Sequence, residues 1–143
     1  MRVRTVKREI RVLGLTKVHI GRRRDVLGVV YRGGLFMDGV LYFRGDDVEA
    51  YGLPGLIRRS RHYPQLRVVV CRAEDGFDCR RLWNETGIPV ILLNPDGSFE
   101  AYGIEEQVAS RVLKVASKTF PEPEALKVAL KLRNALEEMF KSR

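Results

Sequence analysis

The feature that most constrains this fold is the Gly33-Gly34 pair set between two apolar runs, Val26 to Tyr31 and Leu35 to Phe43. Tight hairpin turns need positive φ at their central residues, a conformation glycine adopts without steric cost. The dipeptide therefore predicts that the two runs fold back on each other as antiparallel strands. A third apolar run, Ile10 to Leu15, precedes them, and the basic loop Gly21-Arg22-Arg23-Arg24 joins it to the second. The first three strands are expected as an antiparallel meander.

Beyond the meander the chain alternates helix with strand. A helix is expected from Pro54, a residue tolerated in a first turn, with Leu53, Leu56 and Ile57 inward and Arg58, Arg59 and Arg61 outward. Leu66 to Cys71 reads as a fourth strand, Asp78 as the N-cap of a helix ending near Thr86, and Ile88 to Leu93 as a fifth strand closed by the turn Asn94-Pro95-Asp96-Gly97. Two helices finish the chain, Ile104 to Lys118 and Glu124 to about Phe140, separated by Pro121 and Pro123. The last carries Leu126, Ala129, Leu130, Leu136, Met139 and Phe140 along one stripe. That stripe serves either the chain's own core or contact with a protein partner or a second copy.

The order is that of the ribonuclease H-like fold: an α/β chain with a mixed five-stranded sheet, flanking helices and two C-terminal helices, in one domain over residues 1–143. In that fold strands one and four lie side by side at the sheet centre, and carboxylates near their ends hold divalent metal. With 45% hydrophobic and 31% charged residues the composition is that of an ordinary folded domain. The net charge of +8 favours DNA or RNA as partner. No apolar run approaches the ~20 residues of a membrane span, and Met1-Arg2-Val3-Arg4 does not open a signal peptide, so a cytoplasmic location is expected. Cys71 and Cys79 read as two free thiols, and with His19 and His62 they make no zinc set at a familiar spacing.

Several blocks carry a resemblance: Val12-Leu13-Gly14-Leu15, Leu27 through Gly34, Asp38-Gly39-Val40-Leu41, Ser60-Arg61-His62, Gln65 through Val69, Glu85 through Val90, and Pro121-Glu122-Pro123. Together they resemble an archaeal endonuclease V-like family, also named endonuclease dU (domain of unknown function ninety-nine). The resemblance implies a ribonuclease H-like domain related to enzymes that nick DNA beside deaminated bases with magnesium. Its departures fall where the chemistry would sit. The family's strand one ends in paired aspartates before a glycine, and here stand Thr16, Lys17 and Val18. Its strand four ends in Leu-Asp-Gly, and here stand Cys71, Arg72 and Ala73. Neither central metal ligand carries over to a residue of this chain.

Lys17 and Arg72 admit two readings. They hold phosphate directly, arginine as a bidentate fork and lysine as a point charge, or they pair with neighbours such as Glu74 and Asp75. Arg22, Arg23, Arg24, Arg58, Arg59 and Arg61 are the other candidate phosphate contacts. Tyr63 and Phe77 are the candidate base-stacking rings, and His62 is either a base or a loop-stabilising group. Three functions are open. The first is a catalytically degenerate endonuclease V-like binder of nucleic acid that needs no cofactor. The second is a nuclease with relocated carboxylates, drawn from Asp38, Asp46, Glu74, Asp75 and Asp78, using magnesium or manganese. The third is a structural partner in a repair or replication complex.

Overall fold

The structure, a computed structural model, describes residues 6–141. Its strands are β1 (Arg11–Ile20), β2 (Arg23–Arg32), β3 (Phe36–Phe43), β4 (Val68–Arg72), β5 (Val90–Leu93) and β6 (Phe99–Tyr102). Its helices are α1 (Gly45–Tyr51), α2 (Leu53–Arg59), α3 (Cys79–Thr86), α4 (Glu106–Ala116) and α5 (Glu124–Lys141). One mixed sheet runs in the order β3-β2-β1-β4-β5-β6. β1 pairs antiparallel to β2 and parallel to β4, so the expected adjacency of the first and fourth strands is present.

The sheet has six strands rather than the expected five. The extra strand, β6, pairs antiparallel with β5 through the Asn94–Gly97 turn. Its four residues, Phe-Glu-Ala-Tyr, are too few to show an alternation that marks a strand in sequence. α1 is a second element beyond those expected: none of its residues is fully buried and it carries no apolar period. The basic loop after β1 is a two-residue turn, Gly21-Arg22, so Arg23 and Arg24 belong to β2. The next hairpin keeps its glycines, but only Gly33 takes positive φ, and β3 starts at Phe36 rather than Leu35. A Cβ on Gly33 would stand 1.9 Å from the Arg8 carbonyl oxygen, which explains why glycine sits there.

Strand alternation divides the core into two layers. Leu13, Leu15, Val30, Val69, Cys71 and Val90 face Leu53, Ile57 and Leu82 of α2 and α3. Val12, Val68, Val70 and Ile91 face Val112, Leu113, Ala125 and Leu126 of α4 and α5. Each fully buried leucine or isoleucine contributes roughly 1.5–3 kcal/mol by leaving water. Leu126 and Ala129 of the last helix are buried and Leu130 packs on the same layer, whereas Met139 and Phe140 near its end are exposed. The stripe thus serves the core over its first half. No helix among the described residues is long and apolar enough to cross a membrane.

Candidate functional site

β1 and β4 pair only from Val12↔Val68 to Gly14↔Val70 and then part. β1 continues to Ile20 against β2 alone, so Thr16 and Lys17 lie inside a strand rather than beyond its end. Alternation then decides where each side chain goes. Thr16 shares a face with Val12, and Arg72 with Val68 and Val70, the face covered by α4 and α5. Lys17 shares the opposite face with Leu13 and Leu15, and its Nζ lies 5.2 Å from the centroid of Phe77, which packs on that layer. The structure does not bring Lys17 and Arg72 together; the sheet lies between them.

On the α5 side, the chain after β4 turns back through a 3₁₀ turn, Ala73–Asp75, which returns an acid to Thr16 in the part of β1 beyond its pairing with β4. The buried Thr16 hydroxyl donates to Asp75 Oδ2 at 3.0 Å. Arg72 forms ion pairs with both neighbouring carboxylates, Nη1 to Glu74 at 3.6 Å and Nε to Asp75 at 3.8 Å. These separations are attractive but too long for good hydrogen bonds, and the buried Arg72 Nε–H has no hydrogen-bond partner. A hydroxyl and a guanidinium thus occupy Asp75. Arg72 and Glu74 also border a cleft of about 450 Å³ bounded by Leu93, Pro121 and Leu126. It opens beyond the carboxyl ends of β4 and β5, where open α/β sheets bind ligands. Its walls come from four separate segments, so no local signal announces it.

The remaining candidate acids are dispersed. Asp38, at the β3 bulge, sits between Arg11 and Arg32 at 3.2 Å from each. Burial pushes its carboxyl up, but the Arg11 hydrogen bond and the charges of Arg32 and Arg11 outweigh this and hold it below the ordinary range. Asp46 pairs with Arg44 at the surface. Asp78 caps α3, as the sequence indicates, accepting from the Arg81 amide. Among the described residues, no three His, Cys, Asp or Glu side chains gather as they would to hold a metal ion.

No family model matches the chain. A UPF0215 protein of Methanopyrus kandleri is 41% identical over 105 residues, covering 64% of this chain and 52% of that protein. A UPF0215 protein of Methanosarcina barkeri is 32% identical over 143 residues, covering 94% of this chain and 69% of that protein. The chain belongs to the UPF0215 family. This UPF0215 chain spans about half the length of several curated relatives it matches. A relative in Thermococcus kodakarensis is 27% identical over 188 residues, covering 94% of this chain and 95% of its own length. A crystal structure of a protein of unknown function from Archaeoglobus fulgidus superposes with a TM-score of 0.75 at 21% identity, over 88% of this chain and 97% of that one. At that identity the likeness establishes the fold.

The other cations of this UPF0215 chain divide by whether they are already engaged. Arg23 pairs with buried Asp25, and Arg58 donates to the Glu85 carbonyl oxygen. Arg81 pairs with the Glu85 carboxylate at 2.6 Å. Arg22 and Arg24 are exposed at the turn between β1 and β2. Arg59 lies over Tyr51, Arg80 lies over Tyr102, and Arg61 is exposed just after α2. These last three belong to the helical layer that packs α2 on α3, on the Lys17 side of the sheet. Tyr63 is tied down: its ring packs on the core and its hydroxyl donates to the Thr86 carbonyl at 2.5 Å. His62 lies against Gly39 of β3, where a Cβ would come within 2.6 Å of the imidazole ring. Sequence reasoning missed the Thr16–Asp75 bond, because it joins residues 59 positions apart.

Proposed function

We propose that this UPF0215 protein is a ribonuclease H-like, endonuclease V-like domain that has lost its central metal site and binds DNA or RNA through the cationic α2–α3 face. The observation that carries the reading is the arrangement at the parting of β1 and β4. Asp75 there is satisfied by the Thr16 hydroxyl and faced by Arg72, which also pairs with Glu74. A divalent cation would have to displace a guanidinium from those carboxylates, and like charges repel at such range. The strand order with β1 beside β4 supports the fold assignment. The +8 charge, with Arg59, Arg61 and Arg80 exposed on one helical layer, supports the binding surface.

Fluorescence anisotropy of labelled single- and double-stranded oligonucleotides tests this. Binding without metal is expected, with log K falling linearly in log salt because each phosphate neutralised releases about one counterion. Arg59→Glu, Arg61→Glu and Arg80→Glu combined are expected to weaken binding on the order of tenfold or more and to flatten the slope by about 3, one per phosphate contact. A wild-type affinity insensitive to salt, or one the triple variant leaves unchanged, would overturn the surface. Cleavage of deoxyuridine- or inosine-containing DNA in magnesium or manganese would overturn the loss of the metal site.

A further inference from the structure

Cys71 closes the buried part of β4, and Cys79 is the first residue of α3. Both side chains are buried, both thiols are free, and their sulfurs lie 3.7 Å apart. The seven residues between them (72–78) include Arg72, Glu74 and Asp75 of the candidate site and Phe77, which carries Lys17 on its ring. Both belong to the apolar layer under α2 and α3, where a free cysteine acts as a small hydrophobe with a weak S–H donor. These two face each other, and Cys79 also reaches the Phe77 carbonyl at 3.6 Å. They are unequal as well. The contact between the two sulfurs holds the Cys79 thiol below the ordinary thiol range and, with burial, pushes Cys71 well above it. In such a pair the lower thiol attacks and the higher one resolves, and with Cys79 4% exposed and Cys71 0% the attack requires a local opening at the start of α3.

We propose that Cys71 and Cys79 form a redox couple, oxidised by small disulfides to an intramolecular disulfide that ties the end of β4 to the start of α3. The Cys79 thiolate attacks one sulfur of the oxidant, forming a mixed disulfide and expelling one thiolate, which takes up the proton Cys79 gave up. The Cys71 thiol then loses its proton and attacks the Cys79 sulfur, expelling the second thiol. Two electrons pass from the protein to the oxidant, two protons leave with the two small thiols, and one sulfur–sulfur bond forms. Reaching the bonded separation of about 2.0 Å requires the sulfurs to close by roughly 1.7 Å. The bond would clamp the segment that holds Asp75 against Thr16.

The test is titration of the native 143-residue chain with dipyridyl disulfide, followed by intact mass and peptide mapping. Release of both thiopyridones per chain is expected, with loss of two hydrogens, no retained pyridyl adduct, and a mapped Cys71–Cys79 cross-link. Cys71→Ala is expected to release a single thiopyridone and retain the adduct on Cys79. If that variant does not fold, amide exchange of the oxidised wild type, slowed across residues 73–77, replaces it. A stable adduct on the wild type, a cross-link between chains, or thiols that react only after denaturation would overturn the proposal.

Discussion

Gly14→Val is expected to destabilise the protein by roughly 3 kcal/mol or more, at the upper end of what overpacking a core costs. Gly14 lies mid-β1, opposite Val29 of β2 and Val70 of β4, at the place where α5 crosses the sheet. A Cβ there would come within 2.6 Å of the Ala125 carbonyl carbon and 2.7 Å of its oxygen and of the Leu126 nitrogen. All three are backbone atoms of the first turn of α5, so no rotamer change relieves the clash. The helix must lift, and the layer formed by Val12, Val70, Ala125 and Leu126 opens with it. Gly28→Ala in the neighbouring strand provides the comparison. Its new Cβ crowds the ends of the Leu13 and Leu15 side chains, at 2.9 and 3.2 Å, which can turn aside, and meets Leu41 Cβ at an ordinary 3.5 Å. Urea denaturation should show a far larger loss for Gly14→Val than for Gly28→Ala. Equal losses would mean that α5 is not seated on β1 through this glycine.

Asp25→Ala is expected to cost on the order of 3 kcal/mol, because it strips an acceptor from several donors at once. Asp25 is fully buried at the start of β2 and accepts from Arg23 Nε at 2.8 Å, Tyr42 Oη at 2.5 Å and the Gly45 amide at 2.6 Å. It thereby joins β2, β3 and the first residue of α1. Without it the Gly45 N–H and the Tyr42 hydroxyl lose their partner, while the partly exposed Arg23 can turn to water. The pH dependence carries the same signature. Burial pushes the Asp25 carboxyl up, but the hydrogen bonds from Arg23, Tyr42 and Gly45 outweigh it and leave it below its ordinary value. A carboxyl depressed by folding stabilises above its unfolded value of about 3.9 and loses that contribution as pH falls through the folded value. Tyr42 runs the other way: burial and the Asp25 carboxylate raise it from 10.0 to about 12. Its contribution is complete below pH 10 and is lost as pH climbs toward 12. Melting temperature against pH should decline at both ends in the wild type, and Asp25→Ala should flatten both declines. Unchanged acid and alkaline limbs in the variant would remove Asp25 from the account.

The local signals were legible where a residue's role depends on its immediate neighbours. Gly33-Gly34 marks a hairpin because a tight turn needs a residue without a Cβ. Asp78 marks a helix start because its carboxylate reaches an amide three residues on. The long apolar runs of β1 and β2 mark central strands because both of their faces are covered. Four-residue β6 and α1, which reaches the core through half-buried Val48, carry no such period, and neither is legible in the sequence.

Residue type and spacing alone establish the three-strand meander, the alternation of helix and strand that follows it, the absence of acid at positions 16, 17 and 72, and the excess of positive charge. Which side chains meet was settled by packing. A strand sends consecutive residues to opposite faces, so the register of β1 against β4 puts Thr16 and Arg72 on the α5 side and Lys17 on the other. Chain reversal after β4 returns Asp75 to Thr16 and sets Cys79 against Cys71. Such contacts join segments whose separation is bridged only when the sheet and its covering helices pack, and no local pattern along the chain encodes that meeting.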